Sequence, residues 1–161
     1  LARLETESGA IECAPPLLLE ALSRLGEAAA DAGGLRLIGR RHVRSNNSWM
    51  HNAPRLVKGK PRHQLMMHPD DLARRGLADG ARVRVSSAVG SIETEAVASD
   101  EVMPGVACLP HGFGHDRPGT RQARASAVIG ASYNDLSDPS ALDGPSGNAA
   151  LNGLPVTVTA A

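Results

Sequence analysis

Aromatic side chains are nearly missing: Trp49, Tyr133 and Phe113 make up 2% of the 161 residues. Stacked rings therefore cannot build the core, which falls to Val, Leu, Ile, Ala and Met. Cysteine is equally scarce, with only Cys13 and Cys108. That number excludes a disulfide framework and a four-cysteine metal site, and leaves reduced thiols in a cytoplasmic setting as the expectation. No apolar run approaches the roughly 18 residues that a membrane-crossing helix needs. Net charge is lacking too, because 17 basic and 17 acidic residues cancel. A neutral chain without aromatics spread along its basic stretch does not read as a nucleic-acid binder. Finally, the first residue is Leu rather than Met, and no charged-then-apolar leader follows. The chain reads as a piece of something longer.

What is present is turn chemistry, with 17 Gly and 11 Pro. Such a composition favours short elements joined by tight connections and argues against a helix bundle. The charges are also unevenly spread. From Arg36 to Arg62 the chain carries Arg36, Arg40, Arg41, Arg44, Arg55, Lys58, Lys60 and Arg62 without one acid. A run of this kind is either a solvated basic face or a local positive potential that attracts phosphates.

After Pro15 and Pro16, Leu18, Leu22 and Leu25 recur at helical spacing before Gly33 and Gly34. This predicts a helix of about 15 residues within 1–34, leading from a preceding domain into residues 35–161. "LRLIG" then predicts a short strand, and Leu65–Met67 another. Pro69 suits a first helical position, with Asp70 and Asp71 in the first turn and Gly76 as the stop. Asp79-Gly80 turns the chain into a strand in which Val83 and Val85 alternate with Arg82 and Arg84. A turn at Gly90 leads to a partner strand, with Ile92, Thr94 and Ala96 on one face and Glu93, Glu95 and Val97 on the other. The two form a hairpin that sets Arg82 or Arg84 opposite Glu93 or Glu95. Pro104-Gly105 precedes an apolar strand ending at Leu109, Val128 and Ile129 are a short strand or a packed turn, residues 133–152 read as a long loop, and Val156 and Val158 mark a closing strand. The order describes a mainly β, compact mixed barrel with short helices and long loops. Two polar loops, 40–52 and 110–117, follow apolar strands and are expected to converge.

The loop "RRHVRSNNSWMHN" is too polar to bury, and ordering it costs entropy, so it is either mobile or held by something it binds. Its neighbours carry a longer pattern. His68, Pro69, Asp71, Gly76, Leu77, Asp79, Gly80, Val83, Val85, Ser87 and Gly90 come first, then Ala96, Pro104, Gly105, Val106, Pro110, His111, Gly112 and Phe113, and finally Asn134 and Leu136. In this order they resemble the C-terminal cofactor-binding domain of the molybdopterin oxidoreductases, the family of dimethyl sulfoxide reductase, nitrate reductase and formate dehydrogenase. The likeness spans residues 35 to 161, and the loop after Gly39 is most similar to formate dehydrogenase-like members. The tail departs from the family, with Ala150 or Asn152 near the place of its usual lysine.

The resemblance implies a double-psi β-barrel covering one side of a bis(molybdopterin guanine dinucleotide) cofactor. Molybdenum or tungsten, its protein ligand and any iron–sulfur cluster would belong to the preceding domains of the same polypeptide, and an electron-transfer subunit is a further possible partner. The chain would then be a fragment of an oxidoreductase and inactive alone, with no catalytic or metal-binding residue of its own. A free-standing double-psi barrel used as a binding module, with no redox role, is the alternative.

Such a cofactor needs cations at its phosphates and amide or hydroxyl groups at its ring edges. Arg40 and Arg44 are the candidates for phosphate or pterin oxygens, since a guanidinium fork matches them. Ser45, Asn46 and Asn47 can hydrogen-bond phosphate or ring edges, although two asparagines can equally shape a turn. Trp49 either closes the site or fills the core. Gly112 allows close approach with His111 or His115 beside it, and Asn134 matches the distal Asn-x-Leu loop. Arg41 reads as a solvent-facing arginine and His51 as a loop hydrogen-bonding residue. A metal pair at His111 and His115 conflicts with Gly112 and Gly114, which disfavour a helix, and no third ligand is near.

Overall fold

The computed structural model describes residues 3–25 and 34–161. Among the described residues, six strands close into one barrel: β1 (Leu35–Arg40), β2 (Gln64–Met67), β3 (Arg82–Ser86), β4 (Ser91–Ala98), β5 (Val106–Pro110) and β6 (Leu154–Ala160). Their order around the barrel is β1-β5-β2-β4-β3-β6. Pairings β1·β5 and β2·β4 are parallel, and the other four are antiparallel. This is the double-psi β-barrel anticipated from the sequence.

Alternation along each strand decides which side chains fill the interior. Leu35 and Leu37 of β1, Leu65 and Met67 of β2, Val83 and Val85 of β3, and Val156 and Val158 of β6 all point inward and are buried. Period-two patterning puts these residues on one face of the sheet, and closing the barrel removes that face from water. The core is aliphatic as expected; Tyr133 is the aromatic that joins it.

The β3–β4 hairpin adopts the expected register, Arg82 opposite Glu95 and Arg84 opposite Glu93. Glu93 takes both arginines, at 2.8 Å from Arg84 and 3.4 Å from Arg82. These exposed pairs fix strand register more than they add stability.

Helix α1 (Pro16–Leu25) covers the first part of the anticipated N-terminal helix; the remainder of that expectation falls on residues outside those described. Its Leu17, Leu18, Leu19 and Leu22 are exposed. Helices α2 (Pro54–Val57) and α4 (Ala123–Ser126) and a 3-10 turn at Tyr133–Leu136 interrupt segments that lacked a readable period. Val128 and Ile129 form no strand, and Ile129 is exposed.

Helix α3 (Pro69–Arg74) begins as predicted at Pro69, with the His68 imidazole accepting from the Asp70 N–H. Asp71, on this helix, is almost wholly buried. Its Oδ1 accepts from Arg74 at 2.6 Å and from Arg75 at 3.2 Å, while its Oδ2 accepts from the Gly105 N–H at 2.7 Å. The carboxylate thus fastens α3 to the left-handed turn at Gly105 (φ +86) that starts β5. Burial pushes its pKa up, but the Gly105 N–H and the two arginines outweigh that push and hold it below the usual carboxylate range.

Replacing Asp71 with Ala should cost about 3 kcal/mol in denaturant unfolding, because two cations and a backbone N–H lose their acceptor. The native contribution is present above about pH 4 and is lost as pH falls through the folded value, so wild type and variant should converge in acid. Val85→Ala should cost roughly 1–3 kcal/mol by the same measurement, independent of pH.

Candidate functional site

Because β1 and β5 run parallel, the segments that follow them leave the barrel at the same end. The ladder even continues past the strands, with the His111 N–H donating to the Arg40 carbonyl at 3.0 Å. Loop 41–52 is then built from consecutive turns. Ser45 and Asn46 N–H groups donate to the His42 carbonyl, and the Met50 N–H donates to that of Ser45. Asn46 (φ 42) and Asn47 (φ 59) sit in the left-handed region that asparagine tolerates. Both asparagines therefore shape the turn, as their second reading anticipated.

The two loops press together at Gly112 (φ +93). A Cβ there would lie 2.4 Å from the Asn47 carbonyl oxygen and 3.0 Å from the Ser48 nitrogen. Only glycine permits this approach. The expected convergence of loops 40–52 and 110–117 is thus observed as a backbone contact.

Around this contact the named residues form two clusters. In the first, His111 Nε2 is 3.2 Å from Asn134 Oδ1, and Tyr133 stacks against the His111 ring. Gly39 lies beside them, and a Cβ on it would be 3.6 Å from Arg41 Nη1, Asn152 Oδ1 and Tyr133 Cε2. Asn152 accepts the Gly39 N–H at 2.8 Å, so the residue near the lysine position of the family pattern serves the strand end instead. Burial lowers the His111 pKa, Arg41 lowers it further, and the bond to Asn134 partly offsets both. His111 Nδ1 is buried without a hydrogen-bond partner among the described residues. Sequence reasoning gave Arg41 and Asn152 no site role; they arrive here through strand ends 113 residues apart, which no local pattern reports.

In the second cluster, His51 Nδ1 is 2.9 Å from His115 Nε2, and Phe113 packs on the His51 ring. Ser45 is buried and donates to the His42 carbonyl, while Arg44 donates to the carbonyl of Arg55. Arg40 belongs to neither cluster, since its guanidinium donates to the carbonyls of Gln64 and Cys108 and stitches neighbouring strands. Trp49 is 80% exposed and fills no core. Asp135 pairs with Arg117. Next to Phe113, buried His63 meets the Thr94 hydroxyl at 3.1 Å, and burial pulls its pKa down to about 4.

Guanidinium, imidazole and amide groups thus gather where two loops leave the closed barrel, a set of cations, donors and acceptors. Among the described residues, no group of three or more His, Cys, Asp or Glu side chains is placed to hold a metal ion. Nor is any described helix long and apolar enough to cross a membrane. The chain belongs to the family described as Molydopterin dinucleotide binding domain, whose profile matches residues 35–155. It is 37% identical over 125 residues to biotin sulfoxide reductase of Cereibacter sphaeroides, covering 68% of this chain and 16% of that protein. It is 34% identical over 122 residues to a tetrathionate reductase subunit of Salmonella typhimurium, covering 65% of this chain and 12% of that one. In three dimensions it resembles acetylene hydratase from Pelobacter acetylenicus, with a TM-score of 0.68 and 19% identity over 87% of this chain and 20% of that one, a likeness of fold. The chain therefore spans a fifth or less of each of these proteins.

Gly112→Ala should separate the loops and cost about 2 kcal/mol or more, roughly 5 °C in Tm for a domain of this size. In an NMR titration His63 should stay neutral until near pH 4. A histidine whose folded pKa lies below its unfolded value loses stability for the fold as pH falls from about 6.5 toward that point, so unfolding should become easier across this window.

Proposed function

We propose that the chain is the C-terminal cofactor-binding domain of a molybdenum or tungsten oxidoreductase, with residues 35–161 holding a molybdopterin guanine dinucleotide and residues 1–34 leading in from a preceding domain. The observation that carries this reading is the first cluster. It offers an unpartnered buried nitrogen at His111, an amide at Asn134 and a cation at Arg41, and a pterin or guanine edge needs such donors and acceptors. The donor set fits the cofactor, and the family match points the same way.

The bound cofactor would supply two-electron chemistry at a metal held elsewhere in the full polypeptide. The residues of this chain bind and orient it. His111 and Asn134 face the ring edge, Arg41 supplies positive charge, and Gly112 with the turn at Asn46 and Asn47 keeps the loops fixed beneath it. Trp49, exposed on the rim, covers the ligand, and Arg40 holds the strand ends that present Gly39. Arg44, Ser45 and His115 support the site from the second cluster. None of these groups performs a proton transfer, so the chain by itself is inactive.

An iron–sulfur cluster and an electron-transfer subunit belong to the same reading, as does a cytoplasmic setting for the unpaired Cys13 and Cys108. Formate dehydrogenase-like chemistry rests on the loop after Gly39 alone, whereas the relatives named above are a biotin sulfoxide reductase and a tetrathionate reductase subunit. Substrate identity therefore stays outside the proposal. No observation favours a free-standing binding module.

In the full-length polypeptide, His111→Ala and Asn134→Ala should each lower bound pterin and metal roughly tenfold, the equivalent of one hydrogen bond to a charged or strongly polar partner. Pterin fluorescence after extraction and elemental analysis measure both. Unchanged contents in both variants would overturn the assignment.

A further inference from the structure

A cavity of about 300 Å³ opens beside the second cluster, lined by the cations Arg44, Lys60, Arg62 and Arg124 and by no carboxylate among the described residues. Its walls are apolar, with Leu56, Phe113, Val128 and Ile129 among them. None of the four cations forms an ion pair among the described residues. Arg62 donates to the carbonyls of Leu56 and Lys58, and Arg44 to that of Arg55, bonds that aim the guanidiniums without neutralising them. Four uncompensated cations facing one small volume repel one another, and the arrangement is relieved by an anion.

His51 adds a donor. It is 2% exposed and lines the cavity. Its Nδ1 lies 2.9 Å from His115 Nε2, which is also 2.8 Å from the Gly112 carbonyl. A carbonyl only accepts, so His115 Nε2 carries a proton, and His51 Nδ1 must accept from that same N–H. Neutral His51 therefore bears its own proton on Nε2. That N–H makes no hydrogen bond among the described residues and keeps access to the cavity that the residue lines. Burial, His115 and Arg62 all keep His51 in this neutral form.

We propose that this cavity is a second binding site, for a phosphate monoester bearing a small apolar group. Four cations and one N–H suit a dianion, and the apolar walls suit a short hydrocarbon or ring beside it. The volume sits at the lower end of small-molecule pockets, which excludes a dinucleotide. Arg41, His111, Asn134 and Asn152 do not line it, so it lies beside the first cluster rather than within it, while Arg44 and Ser45 line it and also brace the loop that the first cluster uses.

Calorimetric titration of the chain with phenyl phosphate and with inorganic phosphate at low salt tests the idea. Phenyl phosphate should bind saturably and roughly tenfold more tightly than inorganic phosphate, because the ring leaves water. Lys60→Gln and Arg124→Gln should each weaken it several-fold, while His111→Ala should leave it unchanged. The His51 imidazole signals should move during the titration and those of His111 should not. Absence of saturable binding, silent His51 signals, or equal loss in His111→Ala would overturn the proposal. Displacement of phenyl phosphate by guanosine diphosphate would also overturn it, by merging the cavity with the dinucleotide site. Retention of cofactor by both the full-length His111→Ala and Asn134→Ala proteins would refute the proposed function and leave this result standing.

Discussion

The parallel pairing of β1 with β5 is the constraint on which the rest depends. Two parallel strands deliver the residues that follow them to the same pole, and here these are Gly39 to Asn52 on one side and His111 to Arg117 on the other. Had the pair been antiparallel, Arg41 and His111 would stand at opposite ends of the barrel. The antiparallel pairing of β1 with β6 then brings Asn152 to the same place from the far end of the chain. One strand, β1, therefore brings Arg41, His111 and Asn152 together through its two neighbours, and Tyr133 and Asn134 join them from the 3-10 turn.

Around that constraint the molecule divides its labour by chemistry. The barrel interior is aliphatic and shut, which makes the strands a stiff frame at native packing density. The loops are polar and cannot be buried, so they are fixed by left-handed asparagines, a glycine pressed on a neighbouring carbonyl, and the Asn52 side-chain Oδ1 accepting from the Arg124 and Ala125 N–H groups of α4. At the Gly112 contact itself the backbone does the holding, and His111 Nδ1 beside it has no partner among the described residues. Tyr133 closes the arrangement, its hydroxyl bonded to the carbonyls of Leu37 and Leu151 and its ring against His111.

Much of the fold was legible in the sequence because its signals are local. Alternating Arg and Val wrote β3, Pro69 with two acids wrote the start of α3, and Asp79-Gly80 and Pro104-Gly105 wrote turns. The convergence of the two loops was legible as well, from polar segments that follow apolar strands. The partnerships within the site were harder to read. Gly39 meets Asn152, His51 meets His115, and Asp71 meets Gly105, each across 34 or more residues. Spacing along a chain carries no trace of such meetings, which closure of the barrel creates. Trp49 and Arg40 illustrate the same limit: one proved to be exposed and the other committed to strand carbonyls, and residue type alone decided neither.

The stretch from Arg36 to Arg62, with eight cations and no acid in a molecule whose formal charges sum to zero, has a consequence at the bench. At neutral pH the formal charges cancel, yet the cations of this segment have no acid beside them in the sequence. A sulfonated resin in dilute buffer should grip such a segment despite the zero sum, so elution should track the distribution of charge rather than its total.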